Sequence, residues 1–223
     1  ERGRSSERYP EALYELGMIW KLMSRHDEAI EAFDTNVQQH LSRGPSNFPI
    51  RETGLPRSVY LSRVELGNCL LARGEPGDYA RARDAFKDNL DDDGMDPASQ
   101  VWRDSLHGKA RAFGLLAEIS SLKEREDYLR DASAAWDHFV RRYEWYRKPK
   151  PSGITDAEYA EGRVLYREAL RFKGWIDAQM GKWSDVIAHW EENLRMSEDS
   201  PEGAFAFTLA EAYLRAQRLP EAE

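Results

Sequence analysis

The sequence predicts an all-α protein assembled from stacked helical hairpins, and three observations carry that expectation. Apolar residues recur at helical spacing along most of the 223 residues. A small residue sits mid-way along the first helix of successive hairpins, at Gly17, Gly67, Gly114, Gly174 and Ala210. An aromatic followed three residues later by asparagine recurs in FDTN, FKDN and WEEN, pairing Phe33 with Asn36, Phe86 with Asn89 and Trp190 with Asn193. Sustained apolar/polar alternation, the mark of a half-buried strand, does not occur in the sequence.

The first hairpin spans about 10–41. Leu13, Leu16, Gly17 and Trp20 share one face at 3.6-residue spacing, and Ala29 and Phe33 share the face of the second helix. Gly17 and Ala29 let two backbones approach, while the large residues fill the space around them. Asp27 and Glu28 open the second helix with negative charge at its positive end. Residues 42–58, rich in proline and turn residues, read as a long connection. The second hairpin, about 58–91, repeats the pattern with Leu66, Gly67, Leu70, Ala82 and Phe86, after a turn (GEPGDY) three residues longer than the first. DDDGMDP stops it.

The third hairpin, about 98–145, is the loosest. Phe113 and Gly114 occupy the Leu-Gly position, and LKERED precedes Ala132 and Trp136. The fourth, about 155–196, carries Leu170, Gly174, Trp183, Val186 and Trp190. The fifth, 201–223, brings Leu209, Ala210, Tyr213, Leu219 and Ala222 before the chain stops inside a helical pattern. With Glu1 in place of an initiating Met, the chain reads as a piece of something longer. Unequal steps between the small residues mean insertions between like units.

Composition narrows the function. Hydrophobic residues at 41% and aromatics at 11% support a core, while 32% charged residues and a net charge of −8 suit a solvated helical surface. That balance argues against general nucleic-acid binding, which wants a basic footprint. No apolar run reaches the roughly 20 residues that span a bilayer, which leaves membrane association through missing regions open. Cys69, the single cysteine, excludes a disulfide framework and reads as a buried small hydrophobe.

Chemistry-bearing motifs are sparse. No phosphate loop, dinucleotide fingerprint, zinc-protease helix or nucleophile elbow is present. His26, His40, His107, His138 and His189 lack ligand spacing and read as surface or capping residues, and the carboxylates read as solvated. Asn89, Asp91, Asp93 and Gly94 match the first half of a calcium loop. Gln100 stands where the bidentate Glu belongs, so an acidic helix-ending turn is the better reading. The basic, aromatic stretch 141–150 (RRYEWYRKPK) could hold an acidic partner, a phosphate backbone or a membrane surface; helix-end cations with Tyr143 and Trp145 packed on the next unit are the better reading. The sequence thus offers no catalytic, cofactor or metal site.

The residues quoted from the first unit, Leu13, Leu16, Gly17, Trp20, Ala29 and Phe33, resemble the tetratricopeptide repeat (TPR) family, whose unit carries Leu-Gly, an aromatic, Ala and an aromatic at fixed offsets. The fourth unit matches except for Val186 in place of alanine, and the second and third match after insertions. The phrases VWRDSLHGKARAFGLLA and WDHFVRRY are similar to irregular repeats of bacterial cell-envelope proteins, which implies the periplasmic side of an envelope. The resemblance implies a right-handed superhelical solenoid of antiparallel helix pairs over 1–223, the last pair incomplete. It also implies a non-enzymatic scaffold that takes a protein or peptide segment in a concave groove lined by first helices. Carried over residue by residue, the groove comprises Tyr14, Met18 and Lys21; Asn68 and Leu71; Arg111, Leu115 and Glu118; Arg171 and Trp175; and Phe207 and Leu214. Tyr14 and Met18 stand where one branch of the family clamps a partner's C-terminal carboxylate with Lys and Asn, so that clamp is not expected. The alternatives are a helical accessory domain of an enzyme and an architectural subunit of an envelope complex.

Overall fold

The computed structural model describes residues 9–41, 55–196 and 203–216. Among these residues there are nine α-helices, one short 3-10 helix (Glu144–Arg147) and no strand. The helices are α1 Tyr9–Leu22, α2 His26–Leu41, α3 Arg57–Arg73, α4 Asp78–Leu90, α5 Gln100–Ile119, α6 Leu122–Arg142, α7 Asp156–Gln179, α8 Trp183–Arg195 and α9 Gly203–Arg215. They gather into two compact units, residues 1–116 and 117–223.

In the first unit each hairpin closes over a glycine. Phe33 of α2 lays its ring on Gly17 of α1, where a Cβ would come within 2.4 Å of the ring. Phe86 of α4 does the same on Gly67 of α3, also at 2.4 Å. Both rings are fully buried, a contribution of roughly 1.5–3 kcal/mol each. The turn between α1 and α2 is tight, with Ser24 left-handed at φ 58°. The longer turn between α3 and α4 absorbs its extra residues through Gly74 and Gly77, at φ 69° and 87°. There the buried Asp78 receives both Nε and Nη2 of Arg73 at 2.8 Å.

The recurring asparagines are buried staples. Asn36 donates to the Pro10 carbonyl (2.9 Å) and to Ser62 Oγ on the next hairpin (2.8 Å). Asn89 donates to the Tyr60 carbonyl (2.9 Å) and to Ser105 Oγ on α5 (3.0 Å). In each hairpin the carbonyl lies seven residues before the glycine, so the two contacts are one repeated device.

This device corrects the register of the third hairpin. Ser62 lies five residues before Gly67, and Ser105 lies five before Ala110. Ala110, fully buried, therefore holds the small-residue position, and Gly114 is half-buried beyond it. A serine acceptor sets the register here, with no Leu-Gly pair to announce it. Leu16 departs from expectation as well: it is exposed, while Leu13 and Trp20 are half-buried.

The second unit starts α7 with a capping box, Thr155 and Glu158 bonding each other's backbone. The Tyr146 ring lies on Gly162, and Trp190 of α8 lies on Gly174, where a Cβ would sit 2.1 Å from Nε1. Asn193 donates to the Arg167 carbonyl at 2.6 Å, again seven residues before the glycine. Trp136 of α6 stacks on Phe172 of α7, with ring centroids 5.6 Å apart. Val186, Ile187 and Trp190 of α8 pack with Leu209, Ala212 and Tyr213 of α9. Leu219 and Ala222, expected in the helix after α9, lie outside the described residues.

Candidate functional site

The residues expected to line a groove fall on both units. In the first, α1 and α3 pack together, and Lys21 of α1 makes an ion pair with Glu65 of α3. Tyr14 stands beside this pair with its ring 6.0 Å from Phe33. Burial and then the Glu65 carboxylate push its phenol above the usual range. Met18, Asn68, Leu71, Arg111 and Leu115 are half-buried on their helices. The structure thus brings Tyr14 and Lys21 together around Glu65, a residue the sequence reading missed. In the second unit Glu118 and Arg171 are exposed, Trp175 is half-buried and Leu214 is exposed. The Phe207 side chain lies outside the described ones.

A second cluster was also missed. Lys173 of α7, 3% exposed, donates to both oxygens of the fully buried Asp177 at 2.6 Å and to Ser133 Oγ of α6 at 3.2 Å. Asp137 stands 3.4 Å from the same ammonium, and His189 Nε2 lies 3.5 Å from Asp177. Burial raises the Asp177 carboxyl, with Lys173 opposing, and lowers His189, with Lys173 adding to the effect. The lysine spends its N–H groups on protein oxygens, so the cluster holds three helices in register and offers no donor to a substrate. Its sequence signal is a Lys and an Asp four residues apart around the small residue Gly174.

Two expectations about charged residues are therefore corrected. His107 is buried, and desolvation pushes its imidazole down to about 3, helped by Arg111 and Arg103. Asp78 and Asp177 are buried carboxylates, each compensated by a cation close in the chain, Arg73 across the turn and Lys173 one helical turn back. The other motifs are absorbed by packing. Asn89 points into the helix interface, and Asp92 accepts from Tyr60 Oη (3.0 Å) and Arg63 (3.3 Å), so the half calcium loop is a helix stop. In the stretch 141–150, Tyr143 and Tyr146 are buried, Arg147 pairs with Glu192 at 2.8 Å and Lys150 with Asp156 at 2.6 Å. The Cys69 thiol is buried and pushed up to about 11 by desolvation, so it is inert at neutral pH.

Among solved structures, the chain is similar to the crystal structure of a thermophilic TPR protein of Thermus thermophilus. The two share 17% identity over 96% of this chain and 86% of that one, with a TM-score of 0.53. The fold is TPR-like. At this identity the likeness speaks for the fold alone. No protein-family model matches the sequence, and no curated protein matches it. The TPR-like fold explains why the glycine, aromatic and asparagine recur together: they are the contacts that close one helix pair and lock it to the next. Among the described residues no helix is long and apolar enough to cross a membrane.

Proposed function

We propose that the chain is a non-enzymatic protein-interaction scaffold that takes an extended or helical segment of a partner protein along its first helices. One observation supports this above the others. Beside the buried small residues, α1, α3 and α7 keep Tyr14, Met18, Asn68, Leu71 and Trp175 half-exposed, where neither their own hairpin nor the next fully covers them. Within each unit, half-exposed aromatic and aliphatic side chains, joined in the second by Arg171 one turn from Trp175, make an adhesive surface for a segment with apolar and some acidic groups. Lys21 is engaged by Glu65, which leaves Arg171 as the exposed cation on the expected surface.

A compartment on the periplasmic side of a bacterial envelope rests on the two phrases VWRDSLHGKARAFGLLA and WDHFVRRY, and fractionation of cells producing the tagged protein tests it. The scaffold reading is tested by capture of a stoichiometric partner, followed by titration calorimetry. Arg171→Ala combined with Trp175→Ala weakens that partner by about 2–4 kcal/mol, as interface hot spots do, with the melting temperature unchanged. Unaltered affinity with a folded variant removes this surface from consideration.

A further inference from the structure

The first turn of a helix carries partial positive charge on amides that no carbonyl of the same helix can accept from, and acids or capping oxygens normally meet them. Here α2 opens on Asp27 and Glu28, α4 on Asp78, α7 on Thr155, Asp156 and Glu158, and α8 on Asp185. The start of α3 is different. It follows Pro56, whose side chain caps nothing, and opens on Arg57 with no acid in the first turn. Val59 donates to the Pro56 carbonyl at 2.9 Å. The backbone N–H groups of Arg57 and Ser58 and the exposed Arg57 guanidinium have no acceptor among the described residues. A cation thus adds its charge to the positive end of a 17-residue helix.

A second observation at the same turn is independent of the dipole. Ser58 is 6% exposed, and its Oγ finds no hydrogen-bond partner among the described residues. Buried hydroxyls ordinarily have one, as Ser62 and Ser105 do in accepting from Asn36 and Asn89. The Tyr14 phenol of α1 lies close enough to Arg57 to feel its charge: burial and then Glu65 raise it, while Lys21 and Arg57 act in the opposite sense. Its hydroxyl too has no hydrogen-bond partner among the described residues. Lys21 is already held by Glu65. Two amides, a guanidinium and two hydroxyls therefore supply donors, and the group lacks an acceptor. An oxyanion complements it, since charge-assisted hydrogen bonds and the helix dipole both favour negative charge there.

We infer that the start of α3 is an oxyanion seat, built from Arg57, Ser58 and Tyr14, that takes the carboxylate of an acidic side chain in the partner segment. The inference rests on the scaffold reading and adds an anchoring point to it. Tyr14 belongs both to the seat and to the expected groove, so an Asp or Glu held at Arg57 leads the rest of the segment along α1 and α3 towards Met18 and Asn68.

The test is a set of amide correlation spectra of the full chain, titrated with acetyl-Leu-Asp-Leu-amide, with its Leu-Asn-Leu counterpart and with inorganic phosphate, each up to about 20 mM. The Asp peptide is expected to shift the amides of Arg57 and Ser58 and to bind roughly fivefold more tightly than the Asn peptide. Arg57→Gln, at an exposed position, should abolish that preference with an unchanged circular dichroism spectrum, and Tyr14→Phe and Ser58→Ala should each reduce it. Shifts confined to Met18, Asn68 and Leu71, equal for the two peptides, would overturn the seat and leave the scaffold reading standing. Phosphate moving the two amides while the Asp peptide leaves them unmoved would overturn the assignment to a partner's carboxylate. Silence from all three probes, or an Asp preference that survives Arg57→Gln, would overturn the seat as well.

Discussion

Replacing Gly174 by alanine is a stringent test of how the hairpins close. The added Cβ would stand 2.1 Å from Nε1, 2.6 Å from Cδ1 and 2.8 Å from Cε2 of Trp190, where ordinary contact begins near 3.4 Å. The indole must therefore retreat by more than an ångström, yet it is 4% exposed and enclosed by Val186, Ile187, Leu209 and Tyr213. Overpacking of this kind costs about 1–3 kcal/mol. Movement of the ring also loses the long Nε1–H bond to the Arg171 carbonyl (3.4 Å), worth roughly 0.5 kcal/mol. Alanine returns about 1 kcal/mol through helix propensity. The balance is a destabilisation of about 1–2 kcal/mol, read as a lower urea midpoint. Trp190→Phe removes the nearest ring atoms, so the double variant should be less destabilised than the two single effects added together. If Gly174→Ala instead gains stability by the propensity alone, α7 and α8 do not touch where the structure puts them.

Two further outcomes follow from the same geometry. Asn89→Ala removes two buried hydrogen bonds, to the Tyr60 carbonyl and to Ser105, and should cost about 1–3 kcal/mol in denaturant titration; an exposed-site control such as Gln38→Ala should cost less than about 0.5 kcal/mol. His107 titrates at about 3 when folded against its ordinary 6.5, so the native state takes up its proton later than the unfolded chain. Its contribution is fully present above pH 6.5 and is lost as pH falls towards 3. His107→Gln should flatten the stability-versus-pH curve in that window, and an unchanged slope would refute the buried neutral imidazole.

The hairpins were legible because their closing contacts are written in residues that have few other uses at those places. Gly17, Gly67 and Gly174 lie under Phe33, Phe86 and Trp190, and the recurring Asn36, Asn89 and Asn193 bond the opposite helix. The third hairpin misled because Phe113-Gly114 imitates the Leu-Gly signature, whereas the contact that sets its register is made by Ser105, a residue without pattern value. Buried charge was illegible for another reason. Lys21 meets Glu65 across 44 residues and Lys173 meets Ser133 across 40. Periodicity reports which face a residue occupies and says nothing about what stands opposite. Leu16 shows the converse, since its periodicity marks a face that packs and only the structure shows that face open.

The ring of Phe86 has a second contact that bears on how the first unit comes apart. It rests on Gly67 of α3 and also on Gly108 of α5, where a Cβ would come within 2.3 Å of the ring. Asn89, one turn further along α4, is tied to the same two helices. A stack of hairpins joined only by neighbouring faces can fray from an end, one pair at a time. Here α4 cannot leave α3 without vacating its seat on α5, and the converse holds. Amide protons of α3 and α4 and of the α5 turns around Ser105 and Gly108 should therefore exchange as one cooperative block with a shared opening energy. The α1–α2 hairpin is tied to α3 by Asn36 on Ser62, Lys21 on Glu65 and Asp27 on Arg73, contacts that lie on α3 outside the Phe86 seat, so it is the segment able to open ahead of that block.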